Sequence, residues 1–444
     1  MLRLILVLAI VGGGAVYALR HPFYALLLYV WYAYFRPESW VWHGDLIAGL
    51  HLSYAFAVLV IGSSLLRRDV TVSRVFFHPL IALVLLFTGH GLLSTWLSEY
   101  PSVAWSYWIE FFKSVVIACF MVALVDDRAK VRSLLVVIGL SLGFEGAKQG
   151  WAELFRNPGA ANNNPIPFLG DNNGVAVGMF MLFPVFAALA RTTDTTWARW
   201  VYLAFMFGVL YRGLTTYSRG GFLACLALGV MYWFRSPRKL RVVLGMVLMV
   251  GILAAVLPSA FWDRMGTIRT YHEIEETSAQ GRLHFWRVAL EMAASRPLVG
   301  IGFGAYNTAY DAYDTSQGLY GAGRSVHSAW MGVLAETGYP GLLLYVLILA
   351  MAFRNTRRVQ RLPRETTGQG EIAAYGAALE AAFVVYFVGG TFLPHQYNEM
   401  AWHWVALSLV LLNVARRAAE EPEPAPDDES LGWSEGAAAA IRSA

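Results

Sequence analysis

Six arginines and no lysine fall within residues 259–326: Arg264, Arg269, Arg282, Arg287, Arg296 and Arg324. His327 follows directly, in Ser325-Val326-His327-Ser328-Ala329-Trp330. A guanidinium presents a rigid fork of donors that matches phosphate oxygens bidentately, which an ammonium does not. An imidazole titrates near neutrality and can take a proton from a hydroxyl. The combination describes a site that holds a phosphorylated group and activates a hydroxyl beside it. Arg219, in Tyr217-Ser218-Arg219-Gly220-Gly221, adds a guanidinium flanked by glycines at a helix end, with Arg212 seven residues earlier. The plainer alternative for the loop arginines is pairing with Asp263, Glu273, Glu275 and Glu276 or snorkelling to lipid headgroups.

Other polar residues admit two readings each. Glu110 with Lys113, and Glu145 with Lys148, are spaced to pair on one helix face. Asp171-Asn172-Asn173 precedes an apolar run and reads as an N-cap, with contact to a sugar hydroxyl as the sharper alternative. Residues 278–295 form an amphipathic helix in which Leu283, Trp286, Leu290 and Ala293 recur at helical spacing, suited to lying apolar face down on a membrane. Gly300-Ile301-Gly302-Phe303-Gly304 mimics a dinucleotide fingerprint but has no strand before it, so a tight glycine turn is expected. His395, Glu399 and His403 are spaced i, i+4, i+8, yet they lack the adjacent His-Glu of zinc hydrolases, and no metal site is expected. Asp171, Asn172, Lys148, Tyr217 and Trp286 stand as candidate acceptor or supporting residues around His327.

The elements that must position these residues follow from composition. The 444 residues are 57% hydrophobic and only 14% charged, too little charge to cover a water-soluble surface. Mean hydropathy is +0.48, which places the chain in lipid. The basic residues therefore report topology before they report nucleic acid, and no nucleic-acid partner is expected. Cys119 and Cys225 each sit inside an apolar run and read as small buried hydrophobes. Stretches of spanning length fall near 44–66, 78–97, 104–125, 130–152, 172–191, 197–216, 219–235, 239–258, 327–353, 372–393 and 397–415. Residues 2–19 supply a twelfth, and 22–35 read as re-entrant or interfacial. Thirteen spans with an external N-terminus is the alternative.

Lysine and arginine number 19 in the connections at 67–74, 126–132, 191–199, 235–241, 354–364 and 416–417, against Arg156 alone in 98–103, 156–171 and 393–398. By the positive-inside rule the first set is cytoplasmic, which leaves the arginine-rich loop and His327 outside. The expected organisation is all-α: a transmembrane bundle over 1–258, an external loop domain over 259–326, further transmembrane helices over 327–417, and an acidic, proline-rich cytoplasmic tail over 418–444 that cannot bury a core.

Multispan topology, Arg219-Gly220-Gly221 at an external helix end, the long external loop, and His327-Ser328 followed by nine residues and Gly338 resemble the O-antigen ligase and O-antigen polymerase superfamily. The stretch from Gly281-Arg282-Leu283 and Trp286 to Pro297-Leu298-Val299-Gly300-Ile301-Gly302 carries the same likeness. The nearest subgroup is the O-glycosylation ligase-like proteins of exosortase-containing bacteria, and the likeness runs from the N-terminus to about residue 416. The resemblance implies a GT-C-like glycosyltransferase of the bacterial inner membrane, working on the periplasmic side without cofactor or metal. It moves a glycan from undecaprenyl diphosphate to an acceptor hydroxyl, that of lipid A–core oligosaccharide in a ligase. His327 would be the general base, with Arg219 and Arg282, helped by Arg264, Arg287 or Arg324, on the diphosphate. A polysaccharide polymerase, a protein O-oligosaccharyltransferase and a lipid-linked oligosaccharide flippase are the competing functions.

Overall fold

The computed structural model describes residues 2–42, 44–67, 78–266, 277–362 and 369–420. Arg269, Glu273, Glu275, Glu276 and most of the acidic tail lie outside the described residues. Within them the chain is helical, with one isolated bridge between Ile166 and Gly170.

The first half comprises α1 (Leu2–Ala18), α2 (Pro22–Phe35), α3 (Gly44–Ala48), α4 (Leu52–Arg67), α5 (Pro79–Trp96), α6 (Pro101–Leu124) and α7 (Arg128–Arg156). Then come α8 (Asn172–Thr192), α9 (Thr196–Thr215), α10 (Arg219–Arg235), α11 (Lys239–Val256) and α12 (Ser259–Gly266). The last five are α13 (Thr277–Ser295), α14 (Tyr306–Tyr313), α15 (Ala329–Arg361), α16 (Gln369–Gly389) and α17 (Glu399–Glu420). Local chemistry sets the starts. Pro22, Pro79 and Pro101 open helices at the position where a missing N–H does no harm. Asp127, Asp171, Ser218 and Ser328 cap theirs through a side-chain oxygen.

Six stretches among the described residues are long and apolar enough to cross a membrane: Gly44–Arg67, Pro79–Trp96, Pro101–Leu124, Asn172–Thr192, Ala329–Arg361 and Gly370–Phe392. The chain is a multi-pass membrane protein. Other expected spans form helices but carry more charge or less length: α7 contains Arg128, Lys130, Arg132, Glu145, Lys148 and Glu153, and α10 has 17 residues. The segment expected to be re-entrant or interfacial, α2, is a regular helix. It buries Tyr29, Tyr32, Tyr34, Leu26 and Leu28, packing on α1, α4 and α7.

The bundle core is α8, packed on α7, α9, α10 and α16. At one end of it, basic residues are tied to two buried acids. Arg132 grips Glu371 with two bonds of 2.6 Å, and Glu380 accepts from Arg357 (2.8 Å), Gln360 (2.8 Å) and Arg235. At the other end α8, α10 and α15 begin and α16 finishes, and this is the end that carries His327.

Gly338 breaks α15. Its φ of 70° and ψ of −173° lie in a region open essentially to glycine. Pro340, two residues on, has no N–H for the carbonyl of Glu336. The carbonyls released at the break are used by other elements. Ala335 O accepts Ile301 N (3.0 Å), Glu336 O accepts Ser94 Oγ (2.7 Å) and Gly302 N (3.3 Å), and Thr337 O meets His90 Nε2 at 2.7 Å. The glycine run beginning at Gly300 is indeed a turn, with φ of 66° at Gly300, 127° at Gly302 and 69° at Gly304. A Cβ on Gly338 would lie 2.5 Å from Pro297 O. Gly338→Ala should therefore destabilise the protein by about 1–3 kcal/mol from backbone strain alone, read as a lowered unfolding midpoint in detergent; an unchanged midpoint would contradict this break.

Candidate active site

The turn from Thr216 to Ser218 joins α9 to α10 and is tied to the start of α8. Asn172 Nδ2 donates to Thr216 O (3.3 Å) and Ser218 Oγ donates to Asn173 Oδ1 (2.7 Å). Asp171 caps α8 by accepting from Gly174 N at 2.9 Å, as the sequence leads one to expect. Ser218 caps α10 by accepting from Gly221 N at 3.1 Å. The Arg-Gly-Gly motif then has a packing reason: a Cβ on Gly221 would lie 2.4 Å from Ala176 Cβ, and one on Gly220 2.8 Å from Phe392 Cβ. Glycine lets α10 start flush against α8 and the end of α16. Arg219 is left at the mouth of a helix N-terminus, whose partial positive charge adds to its own.

Phe392 leads across to α13. Trp286 lies against it with ring centroids 6.5 Å apart, and Arg282 sits one turn earlier on the same helix. Phe285 of that helix reaches His327, centroid to centroid 6.2 Å. The buried face of α13 is Phe285, Val288, Ala289 and Met292, packed against Tyr306 and Tyr310 of α14 and Ala335 of α15. The expected apolar face is thus only partly buried. Ala293 is inside, while Leu283 (52% exposed) and Leu290 (46%) point outward with Arg287.

His327 is half-buried, its backbone is left-handed with φ of 48°, and its Nδ1 is enclosed with no hydrogen-bond partner. Burial pushes its imidazole below the ordinary histidine value, and the charges of Arg282 and Arg324 push the same way, against the pull of Asp171. A ring that stays neutral at neutral pH keeps a lone pair with which to take a proton, which is what a base needs.

The other candidates sort themselves by their partners. Arg324 is exposed and its Nε bonds Tyr320 O. Arg264 donates to Tyr217 O at 3.1 Å, while the Tyr217 hydroxyl donates to Gly159 O at 2.7 Å. These contacts bring α12 beside the α10 start, where Phe261 packs edge-on to Tyr217. Arg287 is exposed on α13. Lys148 is engaged with Glu145 at 2.6 Å and lies over Trp40, neither of which belongs to the His327 group. Arg212 is fully buried and bonded to Gln149 Oε1, Asn162 O and Asn164 O, so it straps the 160–164 segment to α9. Arg296 bonds Leu97 O and pairs with Glu99.

Two features escape local sequence reading. His284 pairs with Asp314 at 2.7 Å, and although burial opposes it, bonds from Ser316, Gly318 and His284 hold that carboxyl well below the usual carboxylate range. His395 approaches the α8 start so closely that a Cβ on Gly174 would lie 2.8 Å from its Cε1; burial pushes its imidazole down to about 4. It shares no ligand set with its i+4 and i+8 neighbours. Glu399 accepts from Tyr29 (3.0 Å) and Ser114 (3.2 Å), and His403 Nδ1 bonds the Tyr34 hydroxyl (2.9 Å). Among the described residues no group of three such side chains is placed to hold a metal.

Residues 201–346 match the O-antigen ligase family model, and residues 1–181 match a family of unknown function (DUF5935). The teichuronic acid biosynthesis protein TuaE of Bacillus subtilis is 22% identical over 404 residues, covering 86% of this chain and 75% of its own. The exopolysaccharide production protein ExoQ of Rhizobium meliloti is 26% identical over 171 residues, 36% of this chain and 38% of its own. Arg219, Arg282, His327 and Gly338 all fall inside residues 201–346, the segment similar to the O-antigen ligase family.

Proposed function

We propose that the protein is a glycosyltransferase of the O-antigen ligase type, inverting and independent of metal, that moves a glycan from undecaprenyl diphosphate to an acceptor hydroxyl. The reading places it in the bacterial inner membrane with twelve spans and a GT-C-like architecture, His327 facing the periplasm. The observation that carries it is His327: a half-buried imidazole with an enclosed, unsatisfied Nδ1, near enough to Arg282 and Arg324 for both to lower its proton affinity. His327 takes the proton from the acceptor hydroxyl, whose oxygen attacks the anomeric carbon. The bond from that carbon to the diphosphate oxygen breaks, configuration inverts, and the electron pair leaves with polyprenyl diphosphate. Arg219 at its helix mouth and Arg282 receive that charge, with Arg264 and Arg324 at the rim. The outward Leu283 and Leu290 suit contact with the membrane surface.

Purified protein mixed with undecaprenyl-diphosphate glycan and separate acceptors, lipid A–core among them, tests this by the identity of the product; no transfer to any acceptor would refute it. Both named relatives belong to polysaccharide production, which supports polymerisation as the second reading. Lipid-linked chains that lengthen, in place of a capped acceptor, would establish that one.

The electrostatics around His327 make a separate prediction. With its proton affinity held down, the acidic limb of the transfer rate should lie below the ordinary histidine value of about 6.5. Arg324→Gln removes a charge that opposes protonation, so the limb moves up in pH; Asp171→Asn removes one that favours it, so the limb moves down. Rate profiles that fail to shift in these opposite directions would exclude His327 as the titrating base.

A further inference from the structure

A cavity of about 940 Å³ opens between α2, α4 and α6 and reaches Ser325 and Val326, the two residues before His327, together with His395. None of the arginines assigned to the diphosphate lines it. Its charge has the opposite sign. Glu38, Glu110, Glu336 and Glu399 line it, against Arg36 and Lys113. Lys113 is already engaged, bonded to Glu110 and, at 3.0 Å, to Ser53 Oγ. Tyr54, Tyr107, Phe111 and Phe168 offer ring faces in the same wall. Gln396, 5% exposed, also lines the cavity. Its Nε2 donates to Glu336 Oε2 at 3.1 Å, which leaves its buried Oε1 as an acceptor with no donor.

Glu38 Oε2 and Gln396 Oε1, acceptors with no donor, set beside further carboxylates and aromatic faces, are the complement of a sugar, which brings hydroxyl donors and flat C–H surfaces. A phosphorylated ligand would meet more carboxylates than cations, with Lys113 already bonded to Glu110 and Arg36 alone left to offset them, which works as rejection. We propose that this cavity seats the accepting sugar of the transfer, and that this sugar unit is uncharged and hydroxyl-rich and not itself phosphorylated. The proposal rests on the reading of His327 as a glycosyl-transfer base. Under it, the two approaches to His327 are sorted by charge: guanidinium groups for the diphosphate donor, carboxylates for the neutral acceptor.

The test uses the full chain in membranes of its own bacterium, with a photo-crosslinking amino acid in place of Tyr107 in the cavity wall or of Phe392 beside Trp286. After irradiation, adducts are identified by mass spectrometry. The expected result is a saccharide without phosphate at position 107 and a polyprenyl-diphosphate species at position 392. A phosphorylated saccharide at 107, or no saccharide there while 392 captures the donor, overturns the cavity assignment. An uncharged saccharide at 107 with no diphosphate species at 392 instead removes the donor reading, and no adduct at either position refutes both. In the purified system Glu110→Gln should raise the acceptor KM about 10-fold, the cost of one hydrogen bond to a charged group, and leave the donor KM unchanged; a rise in donor KM would contradict the sorting.

Discussion

Replacing His327 is expected to cut glycan transfer about 10²- to 10⁴-fold, the usual worth of a general base. The choice of substitute matters because the backbone there is left-handed, with φ of 48°. Histidine already carries a Cβ in that conformation, so alanine gains nothing there and loses the ring's contact with Phe285, whereas asparagine adopts the conformation more readily. His327→Asn therefore separates chemistry from folding: it keeps the turn, removes the base, and breaks no hydrogen bond of Nδ1, which has none. His327→Ala should show the same loss of transfer with a lower unfolding midpoint. Normal transfer by a well-expressed His327→Asn protein would assign proton removal to another group, and His395, neutral and near the α8 start, is the first to examine.

The parts of this molecule that local pattern encodes were legible in advance. Apolar runs marked where helices lie, Asp171 announced an N-cap, and the two Glu-Lys pairs at i, i+3 formed as spacing implies. Arg219-Gly220-Gly221 stood out through glycines that close packing requires, and His327 with Gly338 through a backbone of positive φ. What local pattern cannot encode is which face meets which. Arg212 and Arg219 differ by seven residues, or about two helical turns, yet one is sealed into a strap while the other opens α10. Leu283 and Leu290 keep helical spacing with Trp286 but lie outward, because the loop domain packs on Phe285 and Met292 instead. The acceptor cavity was the least visible of all. Glu110, Glu336 and Glu399 come from three parts of the chain, and nothing in their local spacing brings them together.

The second large effect falls on the guanidinium groups, and among the five loop arginines that lie in the described residues, together with Arg219, burial favours a pair. Arg287 faces outward and Arg296 is bonded to Leu97 O and Glu99. Arg264 and Arg324 are exposed and anchored to carbonyls at the rim. Arg219 and Arg282 are each half-buried, where a charge is screened less and acts more strongly on a developing anion. Arg282→Ala should lower kcat/KM by about 10²- to 10³-fold, as removal of one preorganised donor typically does. The lysine variants carry the sharper argument. Arg282→Lys and Arg219→Lys keep the charge but present a mobile point donor where a planar fork held two oxygens. If bidentate contact matters, each should recover no more than about a tenth of the lost rate, one unmade charged hydrogen bond being worth about 1.5–3 kcal/mol. Should Arg219→Lys transfer glycan at the normal rate, the α10 mouth contributes only its field, and bidentate recognition of the diphosphate there is wrong.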